Sequence, residues 1–167
     1  FRLRSTSADV ANGTYFIRMA SRANSVLDVY GGSSADGANV QIWQNNDTGA
    51  QKWNFSRNGD GSYTIVNAAS GKALDVKNAA ASSGTNIQQW SRNGSAAQRW
   101  SIEYVSGGFR LSSALNTAFV IDVSGGNAAN GTNVALYASN DSKAQRFTFK
   151  ATKYVQPLPA DQQTMYN

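Results

Sequence analysis

Along most of this chain apolar and polar residues alternate, and no stretch repeats its apolar positions every three or four residues as a helix would. The alternation comes in short pieces, "TYFIRM", "VLDV", "VQIW" and "QKWNF", each bounded by Gly, Ser, Asn or Asp. Such pieces read as half-buried strands joined by tight turns. The same four signals then recur twice more, which predicts twelve short strands in three units.

The period is 47 residues and holds at many columns. Asp28, Asp75 and Asp122 stand in Leu27-Asp28-Val29, Leu74-Asp75-Val76 and Ile121-Asp122-Val123. Gly37, Gly84 and Gly131 follow, then Asn39, Asn86 and Asn133, then the aromatics Trp43, Trp90 and Tyr137. Each unit ends with "AQKW", "AQRW" or "AQRF", placing Gln51, Gln98 and Gln145 before Trp53, Trp100 and Phe147. The units run 13–58, 61–105 and 107–150. Residues 1–12 form a lead-in, and residues 151–167, which carry Pro157 and Pro159, a C-terminal linker or strap. One such unit cannot bury its own apolar face, but three can close around a shared core. The expected fold is all-β, a β-trefoil with pseudo-threefold symmetry, since a propeller of three blades would be unusually small.

Period two sorts inside from outside. In Asn39-Val40-Gln41-Ile42-Trp43, Val40 and Ile42 go inward, which leaves Gln41 and Trp43 outside. Tyr137 is outward by the same logic, whereas Gln89 shares the inward face of Ile87. In Leu27-Asp28-Val29 the aliphatics go in and Asp28 out. Gln51 shares a face with Trp53 and Phe55, so this Gln and its copies are buried. A buried amide needs partners, expected among the backbone groups of a turn in its own unit. The "QxW" motif is thus a folding signature. The Asp column serves either as hydrogen-bond acceptor for a ligand or as organiser of the following turn. The aromatic column serves either as a ligand platform or as spacers between units. The Gly37 and Asn39 columns read as turn residues; Asn46, Asn93 and Asn140 read as turn residues or as a replacement amide for the pockets.

Composition narrows the chemistry. The 167 residues include no Cys and no His, which removes disulfides, Cys/His zinc sites, catalytic thiols and Ser-His-Asp triads. No metal or cofactor is expected. No apolar run is long enough to span a membrane. The net charge of +5 is spread over 15 scattered Lys and Arg that do not alternate with aromatics, so nucleic acid is not an expected partner.

Three "QxW"-type motifs, each downstream of an "LDV"-type motif and an outward aromatic, resemble the ricin-B-type β-trefoil lectins, which also occur as family 13 carbohydrate-binding modules of secreted bacterial enzymes. The resemblance covers residues 13–150. It implies one shallow sugar pocket per unit, with the acid accepting from sugar hydroxyls and the ring covering the sugar's C–H face. On this chain those pockets would be Asp28, Gln41 and Trp43; Asp75, Gln88 and Trp90; and Asp122 with Tyr137. It further implies a non-catalytic module that attaches a larger, secreted or cell-wall-associated parent to galactose-containing, xylan-like or wall polysaccharides. The alternative is a degenerate trefoil serving as spacer or protein-docking module. Two departures favour that alternative: Ala50, Ala97 and Ala144 stand where sugar-binding members often carry Asn, and Ala135 replaces Gln41 and Gln88 in the third unit.

Overall fold

The computed structural model describes residues 6–153. It contains thirteen strands: β1 (Thr6–Ser7), β2 (Gly13–Met19), β3 (Arg22–Val29), β4 (Val40–Gln44), β5 (Trp53–Arg57), β6 (Tyr63–Asn67), β7 (Ala73–Val76), β8 (Ile87–Trp90), β9 (Trp100–Val105), β10 (Gly108–Ser113), β11 (Asn116–Val123), β12 (Val134–Ala138) and β13 (Phe147–Thr152). Twelve of them fall four to a unit, as the alternation predicts. The thirteenth, β1, lies in the lead-in and adds an edge to β9, with Thr6 opposite Tyr104. The third unit's last strand runs two residues past 150, and Pro157 and Pro159 lie outside the described residues.

The first and fourth strands of the units pair in a closed ring, β2–β5–β6–β9–β10–β13 and back to β2. The ring is sealed by six residue pairs between the first unit and the last, Phe147 opposite Met19 through Thr152 opposite Thr14. Closure leaves the ring no edge of its own. The second and third strands form three hairpins beside the barrel: β3–β4, β7–β8 and β11–β12. This is the expected β-trefoil.

The core contains Ile17, Phe55, Ile65, Ile102, Leu111 and the three motif aromatics Trp53, Trp100 and Phe147. Both indoles donate to a hairpin carbonyl, Trp53 Nε1 to Leu27 O at 3.2 Å and Trp100 Nε1 to Leu74 O at 3.1 Å. A buried N–H thereby keeps a partner, and barrel and hairpin are tied together. The lead-in also contributes: Tyr63 Oη donates to Val10 O at 2.8 Å and accepts from Val10 N at 2.9 Å.

The hairpins meet through two columns first read as turn residues. The amides of Gly37, Gly84 and Gly131 donate to Gln89 O, Leu136 O and Ile42 O, each in the next unit round the ring. Their φ of +85°, +94° and +89° is why Gly stands there. The Asn39 column does something else. Asn39 Nδ2 donates to Asn133 Oδ1 (2.8 Å), Asn133 Nδ2 to Asn86 Oδ1 (2.9 Å) and Asn86 Nδ2 to Asn39 Oδ1 (2.7 Å). The three amides form a cyclic ring with one residue from each unit, which only a pseudo-threefold arrangement permits. The turn reading of this column is therefore corrected.

After each Asp the chain makes one tight turn whose two last residues adopt left-handed backbone: Gly31-Gly32, Asn78-Ala79 and Gly125-Gly126. Ala79, at φ +53°, is the costly member, since a Cβ in that region crowds the following carbonyl. Ala79→Gly should therefore stabilise the fold by up to about 1 kcal/mol in urea denaturation, net of glycine's larger unfolded-state entropy.

Candidate functional site

Each hairpin carries one open pocket, and its register explains how. In β3–β4 Asp28 pairs with Gln41 and Val26 with Trp43, so Asp28, Gln41 and Trp43 share the face turned away from Leu27 and Ile42. The same register places Asp75 opposite Gln88 and Ala73 opposite Trp90. In the third hairpin Asp122 faces Ala135 and Val120 faces Tyr137. The pockets have volumes of about 580, 220 and 560 Å³ in chain order.

The rings lie outward as expected, with exposures of 37% for Trp43, 41% for Trp90 and 45% for Tyr137. The acids do not. Asp28 and Asp75 are 6% exposed and Asp122 is 9% exposed, at the pocket floor instead of the rim. The outward assignment of Asp28 and its copies is corrected in degree: the face is right, but neighbouring groups cover it. Gln41 and Gln88, also assigned outside, are buried with them.

The covering groups are amides that the burial itself requires. Asp28 Oδ1 accepts from Gln41 Nε2 at 3.2 Å and Asp28 Oδ2 from Gln51 Nε2 at 2.8 Å. Asp75 repeats this with Gln88 and Gln98, both at 3.0 Å. The motif Gln does use backbone partners of its own unit. Gln51 Oε1 accepts from Asn46 N at 2.8 Å, and its Nε2 donates to Gln44 O at 3.0 Å. It is not on the strand, however. Gln51, Gln98 and Gln145 each end a single 3-10 turn immediately before the strand of the motif aromatic. The motif is thus a folding signature that also holds the pocket acid in place.

Asp122 lacks half of this support. Gln145 Nε2 donates to its Oδ2 at 2.9 Å, but Ala135 brings no amide. Burial pushes its carboxyl above the usual range, and the Gln145 hydrogen bond offsets this only in part. A raised folded-state value means that the folded protein holds this proton more tightly than the unfolded chain. Its contribution to stability is then full below the ordinary carboxylate value of about 3.9 and is lost as the pH rises through the folded value. Asp122→Asn should abolish that fall in a pH series of melting temperatures. Ala135→Gln should reduce it by supplying the missing donor.

Several residues that support or line the pockets escape the sequence reading. Asp36, Ser83 and Asn130 are also 47 apart but differ in type. Their side-chain oxygens accept the amide of the residue after each ring: Asp36 from Ser91 N (2.7 Å), Ser83 from Ala138 N (2.9 Å) and Asn130 from Gln44 N (2.7 Å). Each pocket's ring is thereby positioned by the preceding unit. For Asp36, burial pushes the carboxyl up, but hydrogen bonds from Ser91 and the nearby Lys72 ammonium hold it below the usual range. Thr48, Ser95 and Ser142 place a hydroxyl in each wall. The oxygens of Asn46, Asn93 and Asn140 close the adjacent turns by accepting from Thr48, Ser95 and Ser142 N. Ala50, Ala97 and Ala144 also line the pockets, so the departure from the lectin pattern leaves a methyl group where an amide would stand. The third pocket adds Lys143.

A closed barrel with three hairpins, each bearing a ring beside a buried acid, defines a lectin-type β-trefoil. The sequence pattern of the ricin-type beta-trefoil lectin domain-like family matches residues 49–137 and 96–156, and the chain belongs to that family. No curated relative matches it in sequence. Among solved structures it is similar to the designed 3-fold symmetric protein ThreeFoil, at 31% identity and a TM-score of 0.80, over 84% of this chain and 100% of that one. The Rhizoctonia solani agglutinin is 25% identical with a TM-score of 0.79, over 88% and 100%. The exo-beta-1,3-galactanase 1,3Gal43A from Clostridium thermocellum is 27% identical with a TM-score of 0.78; the match spans 85% of this chain but 31% of the galactanase.

Proposed function

We propose that this chain is a non-catalytic carbohydrate-binding module of a larger secreted or wall-associated protein. The observation that carries this is the threefold recurrence of an exposed ring above a pocket whose floor is an amide-held carboxylate. A pyranose has one C–H face that a ring covers, while its hydroxyls need a fixed acceptor. Each pocket is lined by one carboxylate, whereas glycoside hydrolysis commonly uses two across one cleft. Asp28, Asp75 and Asp122 therefore act as acceptors, with Trp43, Trp90 and Tyr137 as platforms. Similarity to part of a galactanase supports galactose-containing glycans as first candidates, with xylan-like and wall polysaccharides after them. Single sites of this size bind weakly, and three on one rigid body gain by avidity on a repetitive glycan.

A glycan array with wild type beside Trp43→Ala, Trp90→Ala and Tyr137→Ala tests this. Retention on at least one glycan, weakened by one or more of these substitutions, supports it. The Ala50 column and the engagement of Gln41 and Gln88 by the acids favour the second reading, a trefoil without sugar affinity that acts as spacer or docking module. A silent wild-type array, with no ring resonance moved by any glycan, would establish that reading instead.

A further inference from the structure

The three pockets differ most in the residue that follows the aliphatic after the acid. The first unit has Tyr30, the second Lys77 and the third Ser124. Tyr30 lines the first pocket together with Asp28, Gln41 and Trp43 and is 64% exposed, more than any other large hydrophobic side chain among the described residues. It is the first residue past β3 and opens the tight turn two residues after Asp28. Trp43 stands at the level of Val26 and Gln41 at that of Asp28; Tyr30 follows, its amide donating to Asn39 O. The order along the pocket is ring, acid with amide, ring. At strand spacing the two ring levels are about 13 Å apart, more than one pyranose fills.

The turn beside Tyr30 leaves the pocket open. Gly31 and Gly32 carry no side chain, and among the described residues nothing lies within 4 Å of where a Cβ would stand on either. In the second pocket Asn78 and Ala79 occupy these positions, and the volume falls from about 580 to about 220 Å³. The third pocket is also wide, at about 560 Å³, but offers one ring and one half-supported acid. Width alone does not set the first pocket apart; the second ring does.

We propose that the first pocket is the principal site and takes two consecutive sugar residues of a glycan chain, one covering Trp43 and the next covering Tyr30, with Asp28 serving hydroxyls between them. This rests on the sugar-binding reading above and adds to it a substrate class, chain-internal oligosaccharide rather than a single terminal sugar, at one pocket of the three. The other two pockets then hold single residues and contribute by avidity.

The test is NMR titration, resolved by following the Trp43 and Trp90 indole N–H signals and the Tyr137 ring, with galactose, xylose, β-1,3-galactobiose and xylobiose. At Trp43 a disaccharide should bind roughly tenfold more tightly than its monosaccharide, the gain of one further stacked ring. Tyr30→Ala should remove that gain, so that disaccharide and monosaccharide bind alike at Trp43, while Tyr30→Phe should keep it. Tyr30 is exposed, so neither variant threatens folding. At Trp90 and Tyr137 mono- and disaccharide should bind alike. Equal affinity at Trp43 for both lengths, or a length preference that survives Tyr30→Ala, overturns the inference while leaving sugar binding intact. If no probe moves any of the three rings, the sugar-binding reading falls, and this inference with it.

Discussion

Trp100→Ala should remove about 4–5 kcal/mol of stability, measured by guanidinium denaturation. The side chain is fully buried, and truncating such a residue costs about 3–5 kcal/mol for transfer and cavity. Its Nε1 also serves Leu74 O in the second hairpin, a carbonyl that would lose this donor. Position adds to chemistry: Trp100 pairs with Ser113 on β10 and supplies the residue pair with Tyr63 that joins β9 to β6. With whole-domain stabilities of about 5–15 kcal/mol, the variant should be marginal at 37 °C. Trp100→Phe is the informative control. The third copy is naturally Phe147, without an indole N–H, so that change should cost about 1–2 kcal/mol. A loss near 4 kcal/mol from both variants would mean that the Leu74 bond, and not the filled volume, dominates.

Asp28→Asn should cost about 2–3 kcal/mol although it is nearly isosteric, because both oxygens of Asp28 already accept from glutamine amides. An Asn side chain must turn its own NH2 toward either Gln41 or Gln51, placing donor against donor in a buried site. The same substitution at Asp122 should cost under about 1 kcal/mol. There Gln145 is the only amide donor among the described residues, an Asn oxygen can serve it, and the carboxylate is already disfavoured by burial. Comparing these two variants by chemical denaturation isolates the second amide, since the acids otherwise occupy matching places. Similar losses at both would show that the glutamine of the strand, Gln41, contributes little.

The strands were legible because period two and period 47 are local or simple statements about the chain. Val40 and Ile42 inward and Trp43 outward follow from alternation; Gln51 is buried beside Trp53 as expected, but from the 3-10 turn before the strand. The depth of Asp28 was not legible. Its strand face is fixed by its neighbours Leu27 and Val29, but its cover comes from Gln41, thirteen residues on, and Gln51, twenty-three on. The Asn39 column looked like turn chemistry because its partners are 47 and 94 residues away. Asp36, Ser83 and Asn130 share a position and an oxygen acceptor but not an identity, so a search for repeated letters passes over them.

What the sequence determined alone is the number of units, their strands and the side each strand buries, since backbone pleating and the exclusion of apolar surface from water act residue by residue. What only the tertiary structure decided is how one unit completes another. Gly37 bonds to the second unit, Asn130 anchors the strand carrying Trp43, and three asparagines close a ring. The reason is physical: a hydrogen bond acts across about 3 Å and needs both partners present, and these partners meet only after the barrel has closed.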